Sequence, residues 1–251
     1  MFDATLRSVR SLVSGLCFLA ATVPFPGANA RANDVDAAIV FAIDKSASIN
    51  IEHATLQRQG HVEALCSKEV ANAIAGGLVG CIAITYIQWS SVGRLQTVLP
   101  WTTICDGGQA AAAASTIESA GDTGRGRSSR GRTSLSFAID VSAQLLDRFP
   151  GTARKKIIDV SSNGTNNDGL PVTESRRQTV AKGYIINVIA VARTEPGVTT
   201  DLPGYFRENV IGGAGSFVIA PTSPADYSIA IRSKLVLEIG NTTPSNGRTT
   251  R

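Results

Sequence analysis

The sequence predicts a doubly wound α/β domain: a mostly parallel six-stranded sheet with one antiparallel edge strand and helices on both faces. Apolar segments with the length of strands alternate along the chain with segments of helical character. The apolar runs are nearly continuous, as is typical of parallel strands that are buried on both faces. This Rossmann-like organisation places binding sites beyond the carboxyl ends of the strands.

Six segments are predicted as strands because they are short apolar runs bounded by polar or glycine-containing turns. They cover residues 35–44, 81–89, 95–101, 156–160, 184–192 and 216–220. The loop at residues 90–94 is short, so the second and third strands are expected to form a hairpin. That hairpin supplies the antiparallel edge strand.

Helices are predicted where apolar residues have helical spacing or, at residues 110–119, where alanine is abundant. The predicted helices cover residues 51–65, 67–74, 110–119, 135–149, 173–182 and 225–239. Asn50 or Ser48 is placed to cap the first of them and Thr133 the fourth, because such side chains accept from the free N–H groups of a first turn.

The first 30 residues have the pattern of a cleavable signal peptide. Two arginines precede an apolar stretch at residues 12–23, and Ala28-Asn29-Ala30 fits a small-residue cleavage site. We therefore expect a periplasmic or secreted protein that is cleaved near Ala30. No later apolar segment reaches the roughly 20 residues that span a membrane, so no membrane span is expected after cleavage.

Residues 31–240 are expected to form a single domain, since about 220 residues after the leader suffice for one substantial core. Residues 241–251 are polar and are expected to be a flexible tail. The formal net charge of the whole chain is only +4, which does not indicate a nucleic-acid partner. The oligomeric state is left open by the sequence.

Three cysteines remain after the leader, namely Cys66, Cys81 and Cys105. In a compartment that permits disulfides, this odd number predicts one disulfide and one free thiol. The sequence does not decide among the three pairings. No spacing of cysteine or histidine indicates a zinc site.

Asp44, Ser46 and Ser48 directly follow the first predicted strand and alternate with other residues. Because ligands of open α/β sheets bind beyond the carboxyl ends of the strands, these side chains are expected at a binding site. A carboxylate and hydroxyl groups are the hard oxygen ligands that suit Mg²⁺. The pattern therefore predicts the outline of a metal site.

These residues, the order of elements and Thr133 before a helix resemble the von Willebrand factor A domain. Further segments are similar to those of a bacterial secreted family of this fold whose function is unknown. They are Tyr86-Ile87-Gln88-Trp89, Leu99-Pro100-Trp101, Ile158-Asp159-Val160-Ser161, Asn166-Asn167 and Val210-Ile211-Gly212-Gly213. The resemblance covers nearly all of residues 34–240.

The resemblance implies a metal-ion-dependent adhesion site in which Mg²⁺, or a similar divalent cation, accepts an acidic residue of a protein or peptide partner. The implied ligands are Asp44, Ser46, Ser48 and Thr133. The family pattern has a further aspartate before a glycine after the fourth strand, where this chain has Asn163. An asparagine can coordinate through its carbonyl oxygen, but the missing charge should weaken metal binding, so Asn163 is expected in the outer shell. Asp159 lies inside the strand and should point elsewhere.

Two other interpretations compete with a binding or adhesion module. In a metal-free scaffold, Asp44, Ser48 and Thr133 would only satisfy backbone donors in turns and caps. A metal-assisted phosphoesterase at the same edge would need more carboxylates than the sequence offers there. The only histidines, His53 and His61, lie eight residues apart and match no hydrolase or zinc pattern, so no catalytic residue is predicted.

Four arginines precede Thr133 and should lie near the predicted ion. They are Arg125, Arg127, Arg130 and Arg132. They could attract an acidic partner, or they could belong to a solvated, flexible loop rich in glycine and serine. Trp89 and Trp101 are expected to serve in packing.

Overall fold

The computed structural model describes residues 34–125, 131–191 and 201–240. The predicted leader and tail, together with Arg127, Arg130 and Ala192, lie outside these ranges. The described strands are β1 Val35–Asp44, β2 Ile82–Trp89, β3 Leu95–Ile104, β4 Ala153–Ser162, β5 Ile185–Ala190 and β6 Val218–Ile219. The helices are α1 Ile51–Leu65, α2 Lys68–Ala75, α3 Gly107–Ala120, α4 Leu135–Asp147, α5 Val172–Ala181, α6 Leu202–Asn209 and α7 Tyr227–Ile239.

The strands form one sheet in the order β3-β2-β1-β4-β5-β6. Neighbouring strands are parallel, except that β3 runs antiparallel to β2 at the edge. The predicted doubly wound sheet with one antiparallel edge strand is therefore confirmed. The strand order reverses at β1, which pairs with β2 on one side and β4 on the other, and such a reversal opens a crevice at the carboxyl ends of the strands.

Every residue of β1 is buried, which explains why its sequence is an unbroken apolar run. One face of the strand, including Phe41 and Ile43, packs in a core with residues of α1, α2, α3 and α7. The other face, including Val40 and Ala42, packs with residues of α4, α5 and α6. No helix of the described residues has the length and apolar character that crossing a lipid bilayer requires.

Helix α6 is absent from the predicted elements, because its eight residues include Pro203 and Gly204, which weaken a helical signal. Asp201 caps this helix, and its carboxylate accepts from the N–H of Gly204 at 2.9 Å. Leu202 and Phe206 are its buried residues. Two anchoring apolar side chains are too few to give a recognisable period in the sequence.

The predicted capping role of Thr133 is wrong. Ser134 is the N-cap of α4, and its hydroxyl accepts from the N–H of Phe137 at 3.4 Å. The backbone of Thr133 is instead paired with Asn167 through two hydrogen bonds of 2.8 and 2.9 Å. The helix begins at Leu135 as predicted, but because the adjacent Ser134 provides the cap, the hydroxyl of Thr133 is available for the carboxyl edge of the sheet. At α1 the cap is Asn50, which accepts from His53 N–H at 2.8 Å.

Asp36 fixes the glycine-containing turn that precedes β2. Its buried carboxylate accepts from the N–H groups of Leu78, Val79 and Gly80 at 2.9 to 3.2 Å. A Cβ atom at Gly77 would lie only 2.1 Å from this carboxylate, so the turn excludes a side chain there. Gly77 therefore serves a packing role at the end of the sheet opposite the carboxyl end of β1.

Cys81 and Cys105 form a disulfide, and Cys66 is free and exposed. The two bonded residues flank Ile82 and Ile104, which are directly opposite each other in the β2–β3 hairpin. The expected combination of one disulfide and one free thiol is confirmed. The pairing follows from the hairpin register, which brings the ends of the two strands together.

Replacing both Cys81 and Cys105 by serine should lower the free energy of unfolding by about 3 kcal/mol, because the bond closes a loop across a sequence separation of 24. Urea unfolding of the oxidised chain measures this loss. The control is Cys66→Ser, which should leave the midpoint unchanged because Cys66 is exposed and unbonded. Equal midpoints for the double variant and the wild type would contradict the pairing.

Candidate functional site

The five predicted site residues meet at the carboxyl edge of the sheet. Asp44 is the last residue of β1 and Asn163 follows the last residue of β4. These strands are parallel neighbours, with Ile43 opposite Ser161, so their ends lie side by side. The short segment before α4 carries Thr133 to the same place.

Hydroxyl and amide oxygens form a continuous hydrogen-bonded chain there. The Thr133 hydroxyl donates to Ser46 Oγ at 3.1 Å, and Ser46 Oγ lies 3.3 Å from Ser48 Oγ. The Ser48 hydroxyl in turn donates to Asn163 Oδ1 at 2.7 Å. Thr133, Ser46 and Asn163 are buried, and Ser48 is half-buried. Four of the predicted residues thus present oxygen atoms to one another.

Asp44 lies behind these hydrogen-bonded side chains, and both of its carboxylate oxygens accept hydrogen bonds. Oδ1 accepts from the Ser46 N–H at 2.7 Å, and Oδ2 accepts from the Ser162 hydroxyl at 2.6 Å. Its backbone carbonyl accepts from the Gln57 amide at 3.0 Å. Sequence reasoning misses Ser162 and Gln57, although a serine at the end of β4 is a signal that could have suggested the first.

Asn163 uses both ends of its amide. Its oxygen faces the Ser48 hydroxyl, while Nδ2 donates to the Ser48 carbonyl at 2.9 Å and lies 3.2 Å from His53 Nδ1. An aspartate in this position would place a second acceptor against the Ser48 carbonyl. The neutral amide therefore suits this arrangement without an ion, and buried His53 forms part of the inner wall of the site.

A pocket of about 320 Å³ opens in front of these residues. Its lining is mostly small and polar, with one charged side chain. The lining residues are Ala47, Ser48, Gly131, Arg132, Thr133, Gly164, Thr165 and Asn167. Gly164 lies close to the floor, since a Cβ on it would be 3.3 Å from the Thr133 hydroxyl.

The donor set fits a hard divalent cation in type and spacing. Octahedral Mg²⁺ ligation at about 2.1 Å puts adjacent ligand oxygens about 3 Å apart. The separations of 3.1 Å between Thr133 and Ser46 and of 3.3 Å between Ser46 and Ser48 are close to this value. The charge is low, because Asp44 is the one carboxylate among the five residues, and the described residues contain no group of three or more His, Cys, Asp or Glu side chains that could hold a metal.

Of the four arginines that precede Thr133, the described ranges include Arg125 and Arg132. The Arg132 side chain is exposed and lines the pocket, and the Arg125 side chain is exposed in the segment that follows α3.

The two tryptophans are placed in packing positions. Trp89 is buried, and the Trp101 ring packs against Phe149 with 4.9 Å between centroids. The expectation that both tryptophans serve in packing is confirmed.

Asp159 lies on the face of β4 that is covered by α7 and belongs to a buried ionic cluster. Lys234 Nζ is 2.6 Å from Asp159 Oδ1 and also contacts Glu238 Oε1, which accepts from the Asn187 amide at 2.8 Å. Burial, with the charge of Asp159, raises the pKa of Glu238 to about 8. The cluster is structural, and Asp159 points away from the site as expected.

A line of buried hydrogen bonds joins the site to α7. The Ser161 hydroxyl donates to Gln57 Oε1 at 2.7 Å and lies 2.7 Å from the Tyr227 hydroxyl. Gln57 in turn holds the Asp44 carbonyl. His61 lies on the same helix as Gln57, and burial lowers the pKa of its imidazole.

An open sheet with this strand order, and a serine-rich site beyond its first strand, define a von Willebrand A-like domain. The chain belongs to the family described as Protein of unknown function (DUF1194), whose model matches residues 34–243. Among curated proteins, none matches the chain significantly in sequence.

Three solved structures illustrate the likeness of fold. The pilus adhesin SpaC from Lactobacillus rhamnosus GG has a TM-score of 0.58 at 12% identity, over 83% of this chain and 30% of that chain. Proximal thread matrix protein 1 from the mussel byssus, in a form with a zinc-occupied MIDAS motif, has a TM-score of 0.56 at 19% identity, over 82% of this chain and 48% of that one. The SpRpn10 VWA domain has a TM-score of 0.53 at 14% identity, over 82% of this chain and 97% of that domain.

These identities are low, so the comparisons show the fold of the chain and not its ligand. The chain also spans less than half of the length of the adhesin and of the byssus protein. The MIDAS motif, a metal-ion-dependent adhesion site, holds zinc in the byssus protein.

The free energy of unfolding should fall as the pH rises from about 5 to 8, and Glu238→Gln should remove most of this fall. The pKa of Glu238 is raised from 4.5 to about 8, so between these values the folded chain keeps a proton that the unfolded chain releases. The slope is at most about 1.4 kcal/mol per pH unit.

Urea unfolding between pH 5 and 8 measures this difference. The two proteins are compared at each pH because buried His61, whose pKa is lowered, destabilises the fold as the pH falls below about 6.5. The control is Glu63→Gln on the exposed side of α1, which should keep the wild-type slope. Identical slopes for wild type and Glu238→Gln would show that Glu238 is already ionised.

Proposed function

We propose that this chain is a secreted or periplasmic binding or adhesion module that recognises a protein or peptide at the carboxyl edge of its sheet. The observation that carries the proposal is the row of hydrogen-bonded oxygens of Thr133, Ser46, Ser48 and Asn163 at the floor of an open pocket. Asp44 is fixed behind this row. Such an array suits a site of the metal-ion-dependent adhesion type.

The proposed metal ligands are Asp44, Ser46, Ser48 and Thr133, with Asn163 as an outer member. The ion is Mg²⁺ or a similar divalent cation, and when bound it supplies a positive centre that accepts a carboxylate of the partner. The oxygen-only donor set and the separations of its hydroxyls support this assignment. The zinc-occupied MIDAS motif of the mussel byssus protein, which has a similar fold, supports the choice of a divalent cation.

The low charge of the site makes binding depend on the partner. Asp44 brings one negative charge, and both its oxygens already accept hydrogen bonds. The neutral amide of Asn163 adds none. An acidic side chain from a partner would supply the missing charge, so ion and partner should bind together more tightly than either does alone.

A binding role fits the pocket better than a catalytic one. Of the described residues that line it, Arg132 alone has an ionisable side chain, and neither a histidine nor a carboxylate is among them. His53 is buried behind Asn163. A metal-assisted phosphoesterase needs a base or further carboxylates at the reacting centre, which this lining does not supply.

The disulfide between Cys81 and Cys105 supports an oxidising compartment, because such bonds persist outside the cytosol. This agrees with the leader pattern of residues 1–30, and cleavage near Ala30 remains a prediction. The proposed location is therefore the periplasm or the exterior of the cell.

Millimolar Mg²⁺ should raise the melting temperature of the purified chain by about 3 to 6 °C, as expected for a ligand present at about ten times its Kd. Asp44→Ala should abolish this response, because it removes the one carboxylate of the site. The control is Asp106→Ala at the opposite edge, where Asp106 caps α3 by accepting from Gln109 N–H at 2.9 Å. It should lower the melting temperature but leave the response to Mg²⁺ intact.

A wild-type chain that does not respond to Mg²⁺, Mn²⁺ or Zn²⁺ would contradict the metal site. A binding role would be contradicted by metal-dependent hydrolysis of phosphate or carboxyl esters that is lost in Asp44→Ala. Both assays use the same purified proteins.

Asn163→Asp should raise the affinity for Mg²⁺ severalfold, because it adds a carboxylate beside Ser48. Without metal the same variant should be less stable by about 1 to 3 kcal/mol, since the new oxygen would face the Ser48 carbonyl in place of a donor. Calorimetric titration and thermal melting measure the two effects. The control is Asn72→Asp on the exposed side of α2, which adds the same charge at a remote position and should change neither the Mg²⁺ affinity nor the stability. An unchanged Mg²⁺ affinity in Asn163→Asp would place Asn163 outside the site.

A further inference from the structure

We propose that an aliphatic shelf beside the pocket, formed by Val92 and Leu170, selects partners that carry an aliphatic side chain within three residues of the acid. The inference rests on the function proposed above and adds the chemistry of the partner segment. It concerns the surface next to the pocket and not the ion.

Val92 and Leu170 are two large hydrophobic residues that are exposed in the loops beside the pocket. Val92 lies in the turn between β2 and β3 and is 53% exposed, and Leu170 lies in the loop between β4 and α5 and is 58% exposed. Both loops are at the carboxyl edge of the sheet. Exposed apolar side chains next to a polar pocket are typical of an interaction surface.

Hydrogen bonds hold the two loops together. The Val92 N–H donates to Asp168 Oδ2 at 2.9 Å, and the Ser134 hydroxyl donates to the Asp168 carbonyl at 2.9 Å. The Asn166 amide donates to the Leu170 carbonyl at 3.0 Å. The shelf is therefore ordered before a partner arrives, which lowers the entropic cost of binding.

Close packing at Gly169 brings the two loops into contact. This residue has a φ of +81°, and a Cβ on it would lie 2.9 Å from Val92 Cγ2. The backbone next to Leu170 thus lies directly against the Val92 side chain. Val92 and Leu170 consequently belong to one surface.

The shelf is continuous with the pocket. Asn167 lines the pocket and is three residues from Leu170, a distance of at most about 10 Å. The Arg132 N–H donates to the hydroxyl of Ser91, the neighbour of Val92, at 2.7 Å. An extended partner whose acid enters the pocket can therefore place a side chain on the shelf within three residues.

The charges near the pocket favour this orientation of the partner. Arg132 is exposed at its edge, and the residues that line it include no carboxylate. Asp168, beside the shelf, already accepts the Val92 N–H. An acid is therefore attracted to the pocket, and an aliphatic side chain meets the apolar surface of Val92 and Leu170.

The experiment selects binders from a displayed library of random heptapeptides in the presence of Mg²⁺, using the purified chain as bait. Expected binders carry Asp or Glu with Leu, Ile or Val within three residues. The double variant Val92→Ser with Leu170→Ser should bind a selected peptide about tenfold more weakly, because partial burial of two aliphatic side chains is lost. The matched control is Ile229→Ser with Leu237→Ser on α7, where the exposures are 52% and 49%, and it should bind as the wild type does.

The outcomes separate this inference from the proposed function. Acidic peptides without an aliphatic preference, or equal binding by the shelf variant, would overturn the inference and leave the proposed function standing. A library without enrichment of acidic peptides would overturn both. If the shelf variant does not fold, replacing the aliphatic residue of the selected peptide by serine tests the same contact on the wild-type chain, and unchanged affinity would overturn the inference.

Discussion

The pairing of β1 with β2 on one side and with β4 on the other is the constraint on which the rest of the structure depends. The connection after β1 leads to β2 on one side, and the connection after β3 leads to β4 on the other side of β1, so the carboxyl end of β1 opens into a crevice. Complete burial of β1 fixes both hydrophobic cores to its two faces. Asp44 at the end of this strand is therefore held by a fully buried strand, and Ser46 and Ser48 follow it directly.

The site combines a strongly ordered frame with a weak charge. Asp44 is fixed by Ser46 and Ser162, and the hydroxyls are linked to one another, so little reorganisation is needed to bind an ion or a polar group. Asn163, however, satisfies the Ser48 carbonyl with a donor and brings no negative charge to the site. This replacement stabilises the arrangement without an ion and reduces its attraction for one. The proposal that ion binding depends on a partner rests on these two properties.

The ionic cluster of Lys234, Asp159 and Glu238 serves a different purpose, because it is fully buried between β4 and α7 and does not open to the pocket. Asp159 belongs to a segment that carries the family resemblance, yet its partner is Lys234 and it does not reach the site. Alternation along β4 directs Asp159 and Ser161 towards α7, whereas Ser162 reaches Asp44. The side of the strand decides between a structural and a functional role.

The sequence by itself determined the alternation of strands and helices, the hairpin and the position of Asp44, Ser46 and Ser48 at a strand end, because these features depend on local periodicity and turn composition. Only the tertiary structure decided which cysteines pair, since that depends on the register of β2 and β3. It also decided that Ser134, not Thr133, caps α4, that the Asn163 amide faces Ser48 with its oxygen, and that the backbone at Gly169 packs against Val92. The cysteine pairing, the Asn163–Ser48 contact and the packing of the two loops join residues far apart in the chain, which no local pattern specifies. The cap itself is a local contact, but the choice between Thr133 and Ser134 depends on the long-range pairing of the Thr133 backbone with Asn167.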